Sequence, residues 1–302
     1  MQVVSRGAAA PPAMPTLHEV CAKARTLPCS PSLLPRLIRL LEQPDSDVAD
    51  LAQLIQLDPV LAASTVRLAN SAYFSGGATV QSVAEAVMRM GGREIYRLAA
   101  LALGARWMTI EVEGYRWEAG DFCRASLVKA LAAEVLAEQT GRADPALAYT
   151  CGLVHEIGKL ALAHACGGDI PRIRNHQLEH GGPWLEAETA ILGFNHANVS
   201  ARLLEEWRFP AACIAIAAHN PPDERLLAPE HRALAAHVHA AQHLAVALGL
   251  GQGEDGFLYA LNTTLLAEWG LEPAVLETAM PEVLERATKL LRTQLGAGPI
   301  AA

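Results

Sequence analysis

The chain has 302 residues, with 24 basic and 32 acidic side chains and a net charge of −8; such a surface repels phosphate backbones and argues against nucleic acid as a partner. With 51% hydrophobic and 19% charged residues, the chain is globular rather than disordered. Its six cysteines include no Cys-x-x-Cys pair, its first residues lack the apolar core of a signal peptide, and no apolar run reaches about 18 residues, so a cytoplasmic protein without membrane contact is expected.

The patterning is helical almost throughout. Aromatic residues are only 5%, and the alternating β-branched and aromatic runs of strands are nearly absent. Residues 1–15 and the tail 296–302 read as loose ends. In "SPSLLPRLIRLL", Leu33, Leu34, Leu37, Ile38, Leu40 and Leu41 fall close to one helical stripe. Ser46 or Asp47 caps a second helix. Asp58, with Pro59 behind it, caps a third that ends at Asn70-Ser71. Ser82 opens a helix stopped by Gly91-Gly92, and another spans 93–106. A long amphipathic helix is expected from Trp117 to Thr140. Asp144-Pro145 then opens a helix carrying "CGLVHEIGKLAL" at 151–162. Further helices are expected at 169–180, 184–193, 196–208, 210–219, 229–249, 255–269, 273–279 and 281–295. The "GLGQG" at 249–253 follows a helix, not a strand, and reads as a helix end. The fold class is therefore all-α, a multi-helix bundle with no long linker between its parts.

His155 and Glu156 stand inside an apolar run, where polar groups are costly unless satisfied. Both can reach one ion only if other helices add donors. His196, at a helix start behind Asn195, and His219, at a helix end before Asn220-Pro221-Pro222, are the candidates. Lys159, four residues past His155, would lie on the same side and could hold a phosphate. His176/His180 and His239/His243 have the i,i+4 spacing of zinc pairs but no third donor placed by sequence, so solvated faces are expected. Asn70 is expected to bond to backbone, and Ser71, outside any Gly-x-Ser-x-Gly setting, to be structural.

Three stretches carry a resemblance: "LPCSPSLLPRLIRLLEQPDSDVADLAQLIQLDPVLAASTVRLANSAYFSGG", "SVAEAVMRMGGREIYRLA", and "AYTCGLVHEIGKLAL" with the later "EAETAILGFNHANVSARLLEEWRFPAACIAIAAHNPP". From about Leu17 to Gly251 the chain resembles the HDOD family, HD-related output domains of bacterial signalling proteins. The resemblance implies an N-terminal helical subdomain (16–106) packed on an HD-like helical core (107–251), followed by a C-terminal helical extension (252–295). Catalytic members of the wider superfamily are metal phosphohydrolases that use an early His, a His-Asp pair, further His residues and a late Asp. Against that pattern the early His falls at Ala125, the His-Asp pair is His155-Glu156, His196 is kept, a His-His pair is His219-Asn220, and the late Asp falls near Gln242.

The resemblance thus implies a vestigial metal site at His155, Glu156, His196 and His219, short of the carboxylates that hard ions need. The same cavity offers a ligand pocket at His155, Glu156, Lys159, Asn220 and Gln242. A non-catalytic signalling output module is expected, with no catalytic residue and no cofactor. Its partners would be a signalling protein and a small nucleotide or anion. The alternative is a residual phosphohydrolase holding Zn, Mn, Fe or Mg and acting on nucleotides or phosphate esters.

Overall fold

A computed structural model of the chain describes residues 14–24, 33–43, 47–71, 74, 79–107, 115–118, 120–249, 253, 255, 258 and 261–295. The loose ends expected at 1–13 and 296–302 lie outside the described residues. Every regular element described is a helix.

The N-terminal helices are α1 (Leu17–Ala24), α2 (Leu33–Glu42), α3 (Val48–Gln56), α4 (Pro59–Ala69), α5 (Val83–Met90) and α6 (Gly92–Trp107). Their starts are where the cap chemistry puts them. Asp47 makes a capping box with Asp50, the Asp58 side chain accepts from the Leu61 N–H, and Ser82 accepts from the Glu85 N–H. Asn70 closes the α4–α5 link as expected: its amide donates to the Val80 carbonyl and accepts from the Val80 N–H, each at 2.8 Å. The helix α1 was not expected from the sequence. It packs chiefly on the later helices beginning at Gly158 and His196.

The core is built around α7 (Asp121–Thr140), flanked by α6, α8 (Pro145–Val154), α14 (Pro229–Ala247) and α16 (Pro273–Leu295). The remaining helices are α9 (Gly158–Cys166), α10 (Ile170–His180), α11 (Trp184–Leu192), α12 (His196–Glu206), α13 (Ala211–Ala218) and α15 (Thr263–Glu268). Two expectations about α7 fail. It starts at Asp121, and it is not amphipathic, because every residue from Ala125 to Ala137 is buried. Helices pack around it on several sides, so its polar residues Lys129 and Glu134 are interior. Glu134 pairs through Oε1 with Arg97 at 2.5 Å, while its Oε2 lies 3.9 Å from the Arg286 guanidinium.

Three further boundaries move. The helix expected from 255 starts only at Thr263, where the Asn262 side chain accepts from the Leu265 N–H. The helices expected at 273–279 and 281–295 are one, running through Pro281, and tie to α7 through Arg286–Glu138 at 2.9 Å and Gln139–Glu282 at 3.1 Å. Most important, "CGLVHEIGKLAL" is two helices. His155 ends α8, residues 155–157 form a turn, and Gly158 begins α9.

Two glycines in that stretch let backbones touch. A Cβ on Gly152 would lie 2.8 Å from the Lys129 carbonyl oxygen, where α8 crosses α7. A Cβ on Gly158 would lie 2.1 Å from the His196 carbonyl oxygen, where α9 meets α12; the Gly158 N–H donates to Ser200 Oγ at 2.8 Å.

Candidate functional site

The turn between α8 and α9 aims Glu156 into the core, where it is 3% exposed. One carboxylate oxygen accepts from the Lys129 ammonium on α7. The other accepts from the Lys159 ammonium on α9 and from Gln242 Nε2 on α14, the latter at 3.2 Å. Lys159 also pairs with Asp255 at 2.5 Å and lies 5.4 Å from the centroid of the Trp117 ring. Asp255 reaches in from the segment after α14 and is fully buried. Two ammonium groups thus face two carboxylates in a sealed interior.

The electrostatics follow from the pairing. Burial alone would push the Glu156 carboxyl up, but Lys129 and Lys159 hold it well below the usual carboxylate range. Burial also disfavours the Lys159 charge, and Asp255 with Glu156 outweighs it, so its pKa rises. Among the described residues Lys129 has Glu156 as its ion-pair partner; burial outweighs that pairing, and its pKa falls.

His196 sits at the first position of α12, behind the Asn195 cap. Its Nδ1–H and its backbone N–H both donate to Glu188 Oε2 at 2.8 Å. Tyr115 Oη and Trp184 Nε1 donate to the other Glu188 oxygen at 2.6 and 2.9 Å. Burial would raise the Glu188 pKa, but these donors, His196 foremost, lower it.

His155 is turned elsewhere. Its Nδ1–H donates to the Gly152 carbonyl at 3.0 Å, since a carbonyl can only accept. Burial, aided by the two lysines, lowers its pKa to about 4, so the ring is neutral and Nε2 carries a lone pair. Among the described residues that atom has no partner, and neither do Gln242 Oε1 and Asn220 Nδ2. His219 is half-buried at the end of α13. Lys159 does not share a helix face with His155, because the helix breaks between them; it joins Glu156 instead.

The four residues expected as metal ligands therefore do not converge as a set. Among the described residues one group of three potential ligands comes within 4.8 Å of one another: Glu156, His196 and Asp255. Such a donor set could suit an ion only if its carboxylates were available. Both Glu156 oxygens are engaged by ammonium groups, and a divalent ion would stand beside two buried positive charges. The site does not fit a metal.

Lys129 and Asp255 were not singled out from the sequence. Lys129 had a faint signal: it lies one helical turn after Ala125, in an alanine-rich helix with no polar face. Asp255, in "GQGEDGF", had none.

The histidine pairs divide. His176 and His180 are stacked at 4.2 Å on a surface helix, as expected. His239, expected on a solvated face, is instead 1% exposed; its Nε2 accepts from the Asn262 N–H at 3.0 Å. Burial, then His243 and His155, lower its pKa to about 3. A histidine kept neutral when folded but able to take a proton when unfolded stabilises the fold above its ordinary pKa of 6.5, and that stability is lost as pH falls toward 3. Between pH 7.5 and pH 5, urea unfolding of a His239→Asn variant should show about 2 kcal/mol less loss than the unaltered chain, to whose loss His155 also contributes. Equal losses in both proteins would rule this out.

The HDOD domain pattern matches residues 27–222. The chain belongs to the HDOD domain family. A Treponema pallidum protein of uncharacterised function is 29% identical over 191 residues, which are 62% of this chain and 36% of that protein. The chain thus spans about a third of that relative's length. An HDOD domain protein of unknown function from Geobacter sulfurreducens superposes with a TM-score of 0.66 at 22% identity, covering 91% of this chain and 99% of that one. A candidate signal transduction protein from Marinobacter aquaeolei VT8 gives 0.69 at 23% identity over 92% of this chain and 60% of its own. A candidate phosphohydrolase from Shewanella amazonensis SB2B gives 0.60 at 22% over 90% and 93%. These likenesses establish the HDOD fold. No helix among the described residues is long and apolar enough to cross a membrane. Asp255 lies beyond the matched HDOD span, so the family domain and its C-terminal continuation share one buried cluster.

Proposed function

We propose that this HDOD protein is a non-catalytic signalling output module that works by binding. One observation carries the reading: Lys129 and Lys159 occupy both oxygens of Glu156. A carboxylate so engaged cannot also bridge metal ions or take a proton from water at neutral pH. Gln242, at the expected place of the late acid, donates its amide to Glu156 and adds no charge.

The pocket expected from the sequence remains the candidate binding region. His155 Nε2, Gln242 Oε1 and Asn220 Nδ2 are buried without a partner among the described residues, and such atoms are costly to leave unmatched. They supply two acceptors and one donor for a small polar ligand. The acidic balance of the whole chain favours a protein over a nucleic acid as the macromolecular partner.

The grouping of Glu156, His196 and Asp255 is the observation that favours the alternative, residual phosphohydrolysis. Full-length protein purified without chelator should contain less than about a tenth of an ion per chain. It should also stay inactive on nucleotides and phosphate monoesters with added manganese, iron or zinc. A stoichiometric ion accompanied by turnover would replace the binding reading with the hydrolytic one.

A further inference from the structure

The packing of α8 against α13 brings two thiols into contact. The backbone of α8 is pressed on α7 at Gly152, where a Cβ would lie 2.8 Å from the Lys129 carbonyl oxygen. Successive helix positions point about 100° apart, so Cys151 beside it faces another neighbour, α13. There it meets Cys213 with the two sulfurs 3.1 Å apart, the Cys151 S–H donating to Cys213. The two residues are 62 positions apart in the chain. Both are buried, but α13 itself lies at the surface: Ala211 is exposed, and Ile214, Ala215 and Ala218 are half-buried. Cys213 is thus on the inner side of a surface helix, and Cys151 lies behind it, in the core.

This pair differs from the other buried thiols. Burial pushes the Cys123 thiol up to about 12 and the Cys166 thiol up to about 11, and a buried thiol with no sulfur partner is inert. In the α8–α13 pair, Cys151 is the sulfur that keeps its proton. Burial first, then its hydrogen bond to Cys213 and the charge of that sulfur, push its thiol well above the usual range. The lone pairs of Cys213 are the ones that a small electrophile entering past α13 meets. A sulfenic acid formed there touches a second thiol and condenses with it without a diffusional step.

We propose that Cys151 and Cys213 are a redox-active pair that hydrogen peroxide converts reversibly to a disulfide joining α8 to α13. The Cys213 sulfur attacks one peroxide oxygen, the O–O bond breaks, and the departing hydroxide takes the Cys213 proton and becomes water. Cys213 is left as a sulfenic acid. The Cys151 sulfur then attacks the Cys213 sulfur, the S–O bond breaks, and the hydroxide leaves with the Cys151 proton as a second water. Two thiols have given up two electrons and two protons, and one peroxide has been reduced to two waters. Closing the sulfurs from 3.1 Å to the ~2.0 Å of a disulfide bond draws the two helices together. Because α8 ends at His155 and α13 runs into His219 and Asn220, the bond fixes the spacing between residues of the candidate binding region. The chemistry of the pair is independent of the binding reading; its effect on ligand access rests on it.

The test uses the full, unaltered chain, reduced, freed of reductant and treated with a small excess of hydrogen peroxide. It is then denatured in the presence of an alkylating agent and mapped by mass spectrometry. The expected product has lost two thiols and about 2 Da per chain, carries a linked peptide pair joining Cys151 to Cys213, and regains both thiols with dithiothreitol. In Cys151→Ala the Cys213 sulfenic acid lacks its resolving partner and should be trapped by dimedone, whereas in Cys213→Ala position 151 should stay unlabelled; dimedone on Cys151 would overturn that order of attack. The linked chain should melt about 4 °C or more above the reduced one and show slower hydrogen exchange at 213–222, both reversed by reduction. A linked chain with the midpoint and the exchange of the reduced one would overturn the claim that the bond fixes the α8–α13 spacing. If both thiols survive peroxide in the folded chain while the urea-unfolded chain is oxidised, the site is refuted. It is equally refuted if either cysteine links instead to Cys29 or to a second chain, or if Cys213 proceeds to sulfinic acid with Cys151 still free. None of these results depends on metal content, turnover or a bound ligand, so the inference and the non-catalytic reading fail separately.

Discussion

Replacing Glu156 by alanine should cost the fold about 3–5 kcal/mol, the largest effect expected from any single charge in the protein. The reason is what stays behind. Lys129 loses its direct partner and Lys159 loses one of its carboxylates, so two buried ammonium groups are left with less negative charge to compensate them. Glu156→Gln should be nearly as damaging, since it keeps the shape and removes the charge. Urea unfolding of these variants beside the double variant Lys129→Met/Glu156→Gln makes the check sharper. Removing both members of the pair should cost clearly less than the sum of the single losses. Additive losses would mean that the pair is not coupled, and the charge-balance account would fall with it.

The second large effect is steric. Gly158→Ala should destabilise the protein by about 3 kcal/mol, although alanine is ordinarily the better helix former by about 1 kcal/mol. The new methyl group would be driven to 2.1 Å from the His196 carbonyl oxygen and 2.7 Å from the Ser200 backbone nitrogen. Both obstacles are backbone, so neither can swing aside, and α9 must lift off α12. The hydrogen bond from the Gly158 N–H to Ser200 Oγ would be lost in the process. Because His196 begins α12, the shift also moves the ring that faces the ion cluster. A thermal midpoint equal to or above that of the unaltered chain would show that α9 and α12 do not meet so closely.

The contrast between these two positions shows what could be read from the sequence. The helical class, most caps and most boundaries were legible, because they depend on local chemistry: Asp47 with Asp50, Ser82 with the Glu85 N–H, Asn195 with Asn198. The resemblance to HDOD proteins located His155, Glu156, Lys159 and Gln242. What it could not supply was their partners. The break at residues 155–157 is hidden in an unbroken apolar run, so the i+4 relation of His155 to Lys159 was misread, and Glu156 in fact takes Lys159. Lys129 was passed over because its helix was expected to be amphipathic, and a period of 3.6 residues says which side chains share a face, not how many helices surround it. Asp255 lies ninety-six positions from Lys159 in the chain, and only tertiary structure joins them. The unbroken course of α16 through Pro281 is likewise a tertiary matter, with Glu282 and Arg286 just after the proline tied to α7.

Carrying the neutralising charge on lysine side chains has a consequence for how the protein meets its surroundings. A centre built on an imported ion is only as firm as the supply of that ion, and its folding equilibrium moves with the free concentration of the metal. Here the positive charge is covalently attached and arrives with the polypeptide. The module should therefore keep its shape through metal starvation and chelation alike, and its conformational state is left to answer to other signals.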